Sequence, residues 1–342
     1  MQVSLRTHNL RLRHTFTISR GSQDVVPVLV MTLEHEGLTG YGETSPSGYY
    51  GQDLKTVRAA LESILPWLER QDPRAYRLLL EEALERLGGN TQALCALDLA
   101  LHDWVGKRLN VPVYELFGLR REPLPPTTYT IGLDAIPTMI AKLRAFDSFP
   151  IFKIKLGTDR DLEIVRELRR QTDATFRVDA NCAWTAEQTV EYAHPLKALG
   201  VEFIEQPLPP DQIERMASVH ERSALPLIAD ENCVVPSDVP SLRGRFHGIN
   251  IKLVKCGGLE PALKMIALAR ALGMKIMIGC MIESSILCTA AAHLGALVDF
   301  LDLDGPLLIA NDPFTGMTVG DGRINLPAAP GLGVSLRTQG VE

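Results

Sequence analysis

The chain has 342 residues, long enough for one large α/β barrel or two domains, with 46% hydrophobic residues and a formal net charge of −6. That charge, with no cluster of Lys and Arg interleaved with aromatics, argues against nucleic acid as a partner, and the scattered cysteines at 95, 182, 233, 256, 280 and 288 argue against a disulfide framework or a zinc site. The opening MQVSLRTHNLRLRHTF lacks the apolar core of a signal peptide and no apolar run is long enough to span a bilayer, so a cytoplasmic protein with no membrane partner is expected.

In chain order, RLRHTFTIS, VPVLVMTLEHEG and GYGETSP read as an antiparallel meander. Two helical stretches follow, LKTVRAALESILPWLER and TQALCALDLALHDWVGKRL. Asn90-Thr91 can cap the second, whose apolar side (Leu94, Leu97, Leu101, Trp104) belongs in a core. Residues 1–120 therefore read as an α+β domain.

From residue 127 short β-rich runs alternate with amphipathic helical stretches. The runs are TTYTI (127–131), IFKIK (151–155), TFRVD (175–179), VEFIE (201–205), PLIAD (226–230), GINIK (248–252), MKIMI (274–278) and DFLDL (299–303). Eight strand-helix units predict a (β/α)8-type, TIM-like barrel over 121–315, with a stunted fifth helix in VPSDVPSLRGR. A doubly wound open sheet is the alternative, but no GxGxxG follows an early strand. The tail 316–342 holds too little for another unit and is expected to pack back on the first domain.

Charged residues arrive once per unit at the carboxyl end of a strand: Lys153 and Lys155, Asp179, Glu205, Asp230 and Lys252. From Lys155 onward the separations are 24, 26, 25 and 22 residues, and barrels keep their active sites on that face. Asp179, Glu205 and Asp230 on consecutive strands cannot remain ionised together without a cation, and all-oxygen ligands favour Mg²⁺. Lys155 and Lys252, from opposite strands, would face each other across it. A desolvated lysine near a divalent cation has a depressed pKa and can take a proton as the neutral amine. Two such bases flanking one carbon suit inversion, one removing a proton and the other returning it on the opposite face. The stretch VDFLDLDGPLL adds Asp302 and Asp304 on one strand face, either as a solvated strand end or as a pair awaiting a cation.

FKIKLG, RVDAN, IEQPL, IADEN and NIKLVKCGG together resemble the enolase superfamily in its muconate-lactonising subgroup, across essentially the whole chain. The resemblance implies a modified (β/α)7β barrel capped by the N-terminal domain, with loops near 16–24 and 46–52 closing over the substrate. It also implies one Mg²⁺ per subunit on Asp179, Glu205 and Asp230, an acid/base pair of Lys155 and Lys252, and Lys153 supporting the substrate carboxylate. DLDGP resembles the dipeptide epimerases, in which such a pair holds the free ammonium of the dipeptide. The expected function is thus a dipeptide epimerase that inverts the α-carbon of the C-terminal residue through a Mg²⁺-stabilised enediolate.

Thr130 in TYTIG and Glu283 in GCMIESS are expected to line the site. Arg20 is either a cation for a substrate side chain or a loop residue pairing with solvent or Asp24. His102 and His293 are expected as core or rim histidines. N-acylamino acid racemisation or another subgroup reaction, a Schiff-base aldolase, and an inactive scaffold are the alternatives; the partner is a small molecule, and a homo-oligomer stays open.

Overall fold

The computed structural model describes residues 1–337. β1 (Gln2–Ile18), β2 (Gly21–His35) and β3 (Leu38–Thr44) form an antiparallel sheet in that order. The β1–β2 register shifts between Arg11 and Phe16, a bulge that bends the hairpin. Its tip is docked on the second domain by the Leu133 N–H, which donates to Thr17 O at 2.9 Å.

Three helices follow: α1 (Leu54–Leu68), α2 (Tyr76–Arg86) and α3 (Thr91–Leu109). A reciprocal capping box starts α1, with Asp53 accepting from Thr56 N and the Thr56 hydroxyl accepting from Asp53 N. Asn90 Oδ1 accepts from Ala93 N at 2.8 Å and starts α3. α3 is buried on all sides from Gln92 to Gly106. One side packs directly on β3, where a Cβ at Gly42 would stand 1.9 Å from Ala96 O, so the GYG of this strand is a close-approach signal.

The second sheet has eight parallel strands in sequential order: β4 (Tyr129–Ile131), β5 (Ile151–Lys155), β6 (Thr175–Asp179), β7 (Val201–Glu205), β8 (Leu227–Ala229), β9 (Gly248–Ile251), β10 (Lys275–Gly279) and β11 (Phe300–Asp302). The connecting helices include α4 (Ile136–Arg144), α5 (Asp161–Arg169), α6 (Ala186–Ala198), α7 (Met216–Arg222), α8 (Val239–Leu242), α9 (Leu259–Ala271) and α10 (Ser285–Ala292). The fifth, α8, is four residues long, as its sequence implied. All eight expected strands are present, with Asp230 and Lys252 one residue beyond β8 and β9.

Among the described residues no ladder joins β4 to β11. Side chains close that seam instead. Asp302 Oδ1 accepts from the Thr128 hydroxyl, Asp304 Oδ2 accepts from Thr130 N at 2.6 Å, and the Thr127 hydroxyl accepts from Leu303 N at 2.7 Å.

The tail touches both domains. Its hairpin, Thr318–Gly320 with Arg323–Asn325, meets the barrel where Thr127 N donates to Gly322 O, and Leu332 N donates to Asp103 of α3. Residues 338–342 of the tail lie outside the described residues. No helix among the described residues is long and apolar enough to cross a membrane.

Candidate active site

A cavity of about 580 Å³ opens at the carboxyl ends of the barrel strands. Its floor carries Lys153, Lys155, Asp230, Lys252, Asp302 and Asp304; the sheet domain supplies Phe16, Ile18, Val26 and the tip residues Arg20 to Gln23 from the β1–β2 hairpin, and Ser45 to Tyr50 after β3. The expected loop near 16–24 is thus a hairpin tip, β1 running to Ile18 and β2 starting at Gly21.

Asp179, Glu205 and Asp230, all buried, bring one carboxylate oxygen each to within 4.8 Å of one another. Each is aimed by a partner. Asp179 Oδ1 accepts from Asn181 N, Glu205 Oε1 accepts from Asn250 Nδ2, and Asp230 Oδ1 accepts from Lys255 Nζ at 2.5 Å. The remaining oxygens face ammonium groups: Lys155 Nζ lies 2.8 Å from Asp179 Oδ2, Lys252 Nζ 2.8 Å from Asp230 Oδ2, and Lys153 Nζ 2.7 Å from Glu205 Oε2.

Electrostatics follow from this clustering. Burial works against ionisation of Asp179 and Asp230, yet the adjacent lysines hold both below the usual carboxylate range. Glu205 is pushed up to about 7 by burial and by the charge of Asp179, which together outweigh the lowering by Lys153. For Lys252 the depression expected from the sequence is not what the protein side chains alone produce. Burial lowers Lys252, but the charge of Asp230 outweighs it and holds the amine above its ordinary value; depression requires a cation on the carboxylates.

A divalent cation fits this donor set. Three buried oxygens converge, all hard ligands, and Glu205 Oε2 accepts no geometrically sound hydrogen bond although Lys153 is near. Mg²⁺ is accordingly the ion the three carboxylates suit.

Asp302, at the end of β11, and Asp304, two residues on, line the same cavity. Asp302 Oδ2 accepts from Lys153 Nζ at 2.8 Å. Lys153 therefore links the two acidic groups, and Thr130 lines the cavity beside Asp304.

Models of the mandelate racemase / muconate lactonizing enzyme N-terminal domain and of the enolase C-terminal domain-like fold match residues 1–118 and 138–340. The chain belongs to the enolase superfamily. Among its superfamily relatives, an L-Ala-D/L-amino acid epimerase from Maribacter sp. is 46% identical over 340 residues, covering 98% of this chain and 99% of the relative. The substrate-liganded L-Ala-D/L-Glu epimerase of Bacillus subtilis superposes with a TM-score of 0.93 at 27% identity, covering 98% of each chain. The dipeptide epimerase of Methylococcus capsulatus, complexed with Mg and L-Arg-D-Lys, gives 0.91 at 33% identity, covering 97% of this chain and 98% of that one.

Glu283 and one of the two readings of Arg20 differ from expectation. Glu283 does not line the cavity: it is buried behind the wall that Cys280, Met281 and Ile282 form, and accepts from Met281 N at 2.9 Å. Arg20 lines the cavity but does not pair with Asp24, which accepts from Thr15. Its guanidinium lies 2.8 Å from Glu231, donates to Asn181 O at 2.9 Å and stacks over Tyr49.

Lys255, Glu231, Asn181 and Gln206 escaped the sequence reading. Gln206 Oε1 accepts from Asp230 N. Their signal is position, within one to three residues of an expected ligand or base in RVDAN, IEQPL, IADEN and NIKLVKCGG.

Proposed function

We propose that this chain is a dipeptide epimerase acting by 1,1-proton transfer at the α-carbon of the C-terminal residue. The observation that carries the reading is a second acidic pair, Asp302 and Asp304, apart from the metal-binding triad and lining the same cavity as Lys155 and Lys252 of barrel strands two and six. A substrate with a free ammonium and a carboxylate at its two ends matches that polarity. N-acylated amino acids offer nothing to the aspartate pair.

Asp179, Glu205 and Asp230 would hold Mg²⁺, which when bound would supply positive charge against the substrate carboxylate as the α-proton leaves. Lys155 Nζ takes the proton from one face, and Lys252 Nζ delivers one to the other; the reverse reaction exchanges their roles. Lys153 adds a fixed cation beside the carboxylate, and Asp302 and Asp304 fix the ammonium, so that the C-terminal α-carbon lies between the two amines. The β1–β2 hairpin and Tyr49-Tyr50 exclude water from above. L-Ala-X dipeptides are the first candidates, given the name of the Maribacter relative. Cytoplasmic location and a small-molecule partner complete the proposal.

The test is incubation with a dipeptide library in D₂O, following deuterium at the C-terminal α-carbon and the diastereomer ratio. Epimerisation of free dipeptides is expected, and Lys155→Ala and Lys252→Ala should each abolish it while leaving the fold intact. Each single variant should still exchange the α-proton of one diastereomer. A wild type preferring N-acylamino acids would transfer the assignment to racemisation of those compounds, and full activity in either lysine variant would refute the two-base mechanism.

A further inference from the structure

Glu43 lies in the N-terminal domain, at the end of β3, and is fully buried. Its two oxygens leave that domain: Oε1 accepts from Ser284 N at 2.8 Å and Oε2 contacts the Ser284 hydroxyl. Ser284 caps α10, its hydroxyl accepting from Ile286 N. Two residues after Glu43, the Ser45 hydroxyl donates to Ile282 O at 2.8 Å. The five-residue connection 280–284 between β10 and α10 is therefore gripped from across the domain boundary at two points.

That connection reaches the reaction centre. Cys280, Met281 and Ile282 line the cavity, and Met281 Sδ lies 3.8 Å from Lys252 Nζ. Lys155, on the other side, makes no hydrogen bond or ion pair with this connection among the described residues; its ammonium is held by Asp179. A displacement of 280–284 would thus disturb one of the two bases and spare the other, while any effect through Cys280 on Asp304 falls on both diastereomers alike and cancels in their ratio.

We propose that Glu43 is a positioning residue: through Ser284 it sets the 280–284 connection and so places Lys252 against the substrate's α-carbon. The assignment rests on the two-lysine reading above. A buried carboxyl between two domains could serve stability alone, and the test separates these roles because stability is blind to the face of the substrate.

The experiment compares α-proton exchange in D₂O for the two diastereomers of one L-Ala-X dipeptide, with Lys252→Ala identifying the diastereomer that depends on Lys252. Relative to the other diastereomer, Glu43→Ala and Ser284→Ala should slow that exchange about tenfold, the rate equivalent of one buried hydrogen bond, while Glu43→Gln should stay within about twofold of wild type. The carboxamide retains both an acceptor and a donor for Ser284. Should Glu43→Ala fail to fold, Ser284→Ala, which removes a single oxygen, decides by the same ratio. Equal slowing of both diastereomers, or no slowing, overturns the assignment while leaving the two-lysine reading in place. If Lys252→Ala itself does not separate the diastereomers, both fall together.

Discussion

Asp302 and Asp304 are not equivalent. Burial opposes the charge of Asp302, but Lys153 and the Thr128 hydroxyl occupy its oxygens and hold it below the usual carboxylate range. Burial and the charge of Asp302 push Asp304 up to about 6, and among the described residues its Oδ1 has only Cys280 Sγ at 3.9 Å. An arriving ammonium therefore finds its free acceptor, and the charge most in need of a partner, at Asp304. Removing one partner from a buried charge pair costs about 2–5 kcal/mol, so Asp304→Asn should lower kcat/KM on free dipeptides by orders of magnitude with little change in Tm. Asp302→Asn should lower both, because it also breaks the buried ion pair with Lys153, whereas Asp304→Asn keeps an oxygen that accepts from Thr130 N at the seam. Steady-state kinetics and thermal unfolding on the two variants check this; equal Tm values with undiminished kinetics would reduce the pair to a strand end. The carboxylates and lysines were legible in the sequence because each ends a strand in an otherwise apolar run. Arg20 was not, since its partner Glu231 is 211 positions away and no local pattern records the pairing.

At the scale of elements, the barrel strands were legible as short β-rich runs with polar ends, and the stunted α8 as a Pro-rich connection. α2 went unread: its leucines at 78, 79 and 80 are adjacent, and Leu78 is 66% exposed, which blurs the helical period. The seam was hidden for another reason, being made by side chains 174 residues apart. α3 carries the pH-dependent feature. Burial alone would favour a neutral His102, but Asp98 one turn earlier at 3.3 Å, with Glu260 of α9 at 3.6 Å, raises it to about 10. Because the folded value lies above the ordinary 6.5, the stabilisation is complete below about pH 6.5 and is lost as pH rises through about 10. Breaking such a buried pair costs about 3 kcal/mol or more, so His102→Gln should lower Tm clearly at pH 6. The gap to wild type should narrow towards pH 10. A gap that is constant or widens with pH would show that His102 is neutral in the folded protein.

For the molecule as a whole, α3 belongs to both domains at once. β3 packs on one side of it through Gly40 and Gly42, while Asp98 accepts from Leu259 N at the start of α9 and Asp103 accepts from Leu332 N of the tail. Neither domain can unfold without exposing a helix that is buried all round, and Glu43 and Arg20 tie the domains again at the cavity. Unfolding should accordingly be a single transition. The acidic triad makes the metal a probe of that coupling, for an ion that binds only the folded state stabilises it by about 2.7 kcal/mol at a hundredfold excess over its Kd. In scanning calorimetry, adding Mg²⁺ after chelation should move one undivided peak upward, and Asp179→Asn, Glu205→Gln or Asp230→Asn should each diminish the shift. Chelation should abolish activity and Mg²⁺ restore it. Two peaks, of which Mg²⁺ moves only one, would mean that the barrel holds its metal without the N-terminal domain; activity surviving exhaustive chelation would remove the metal from the three carboxylates.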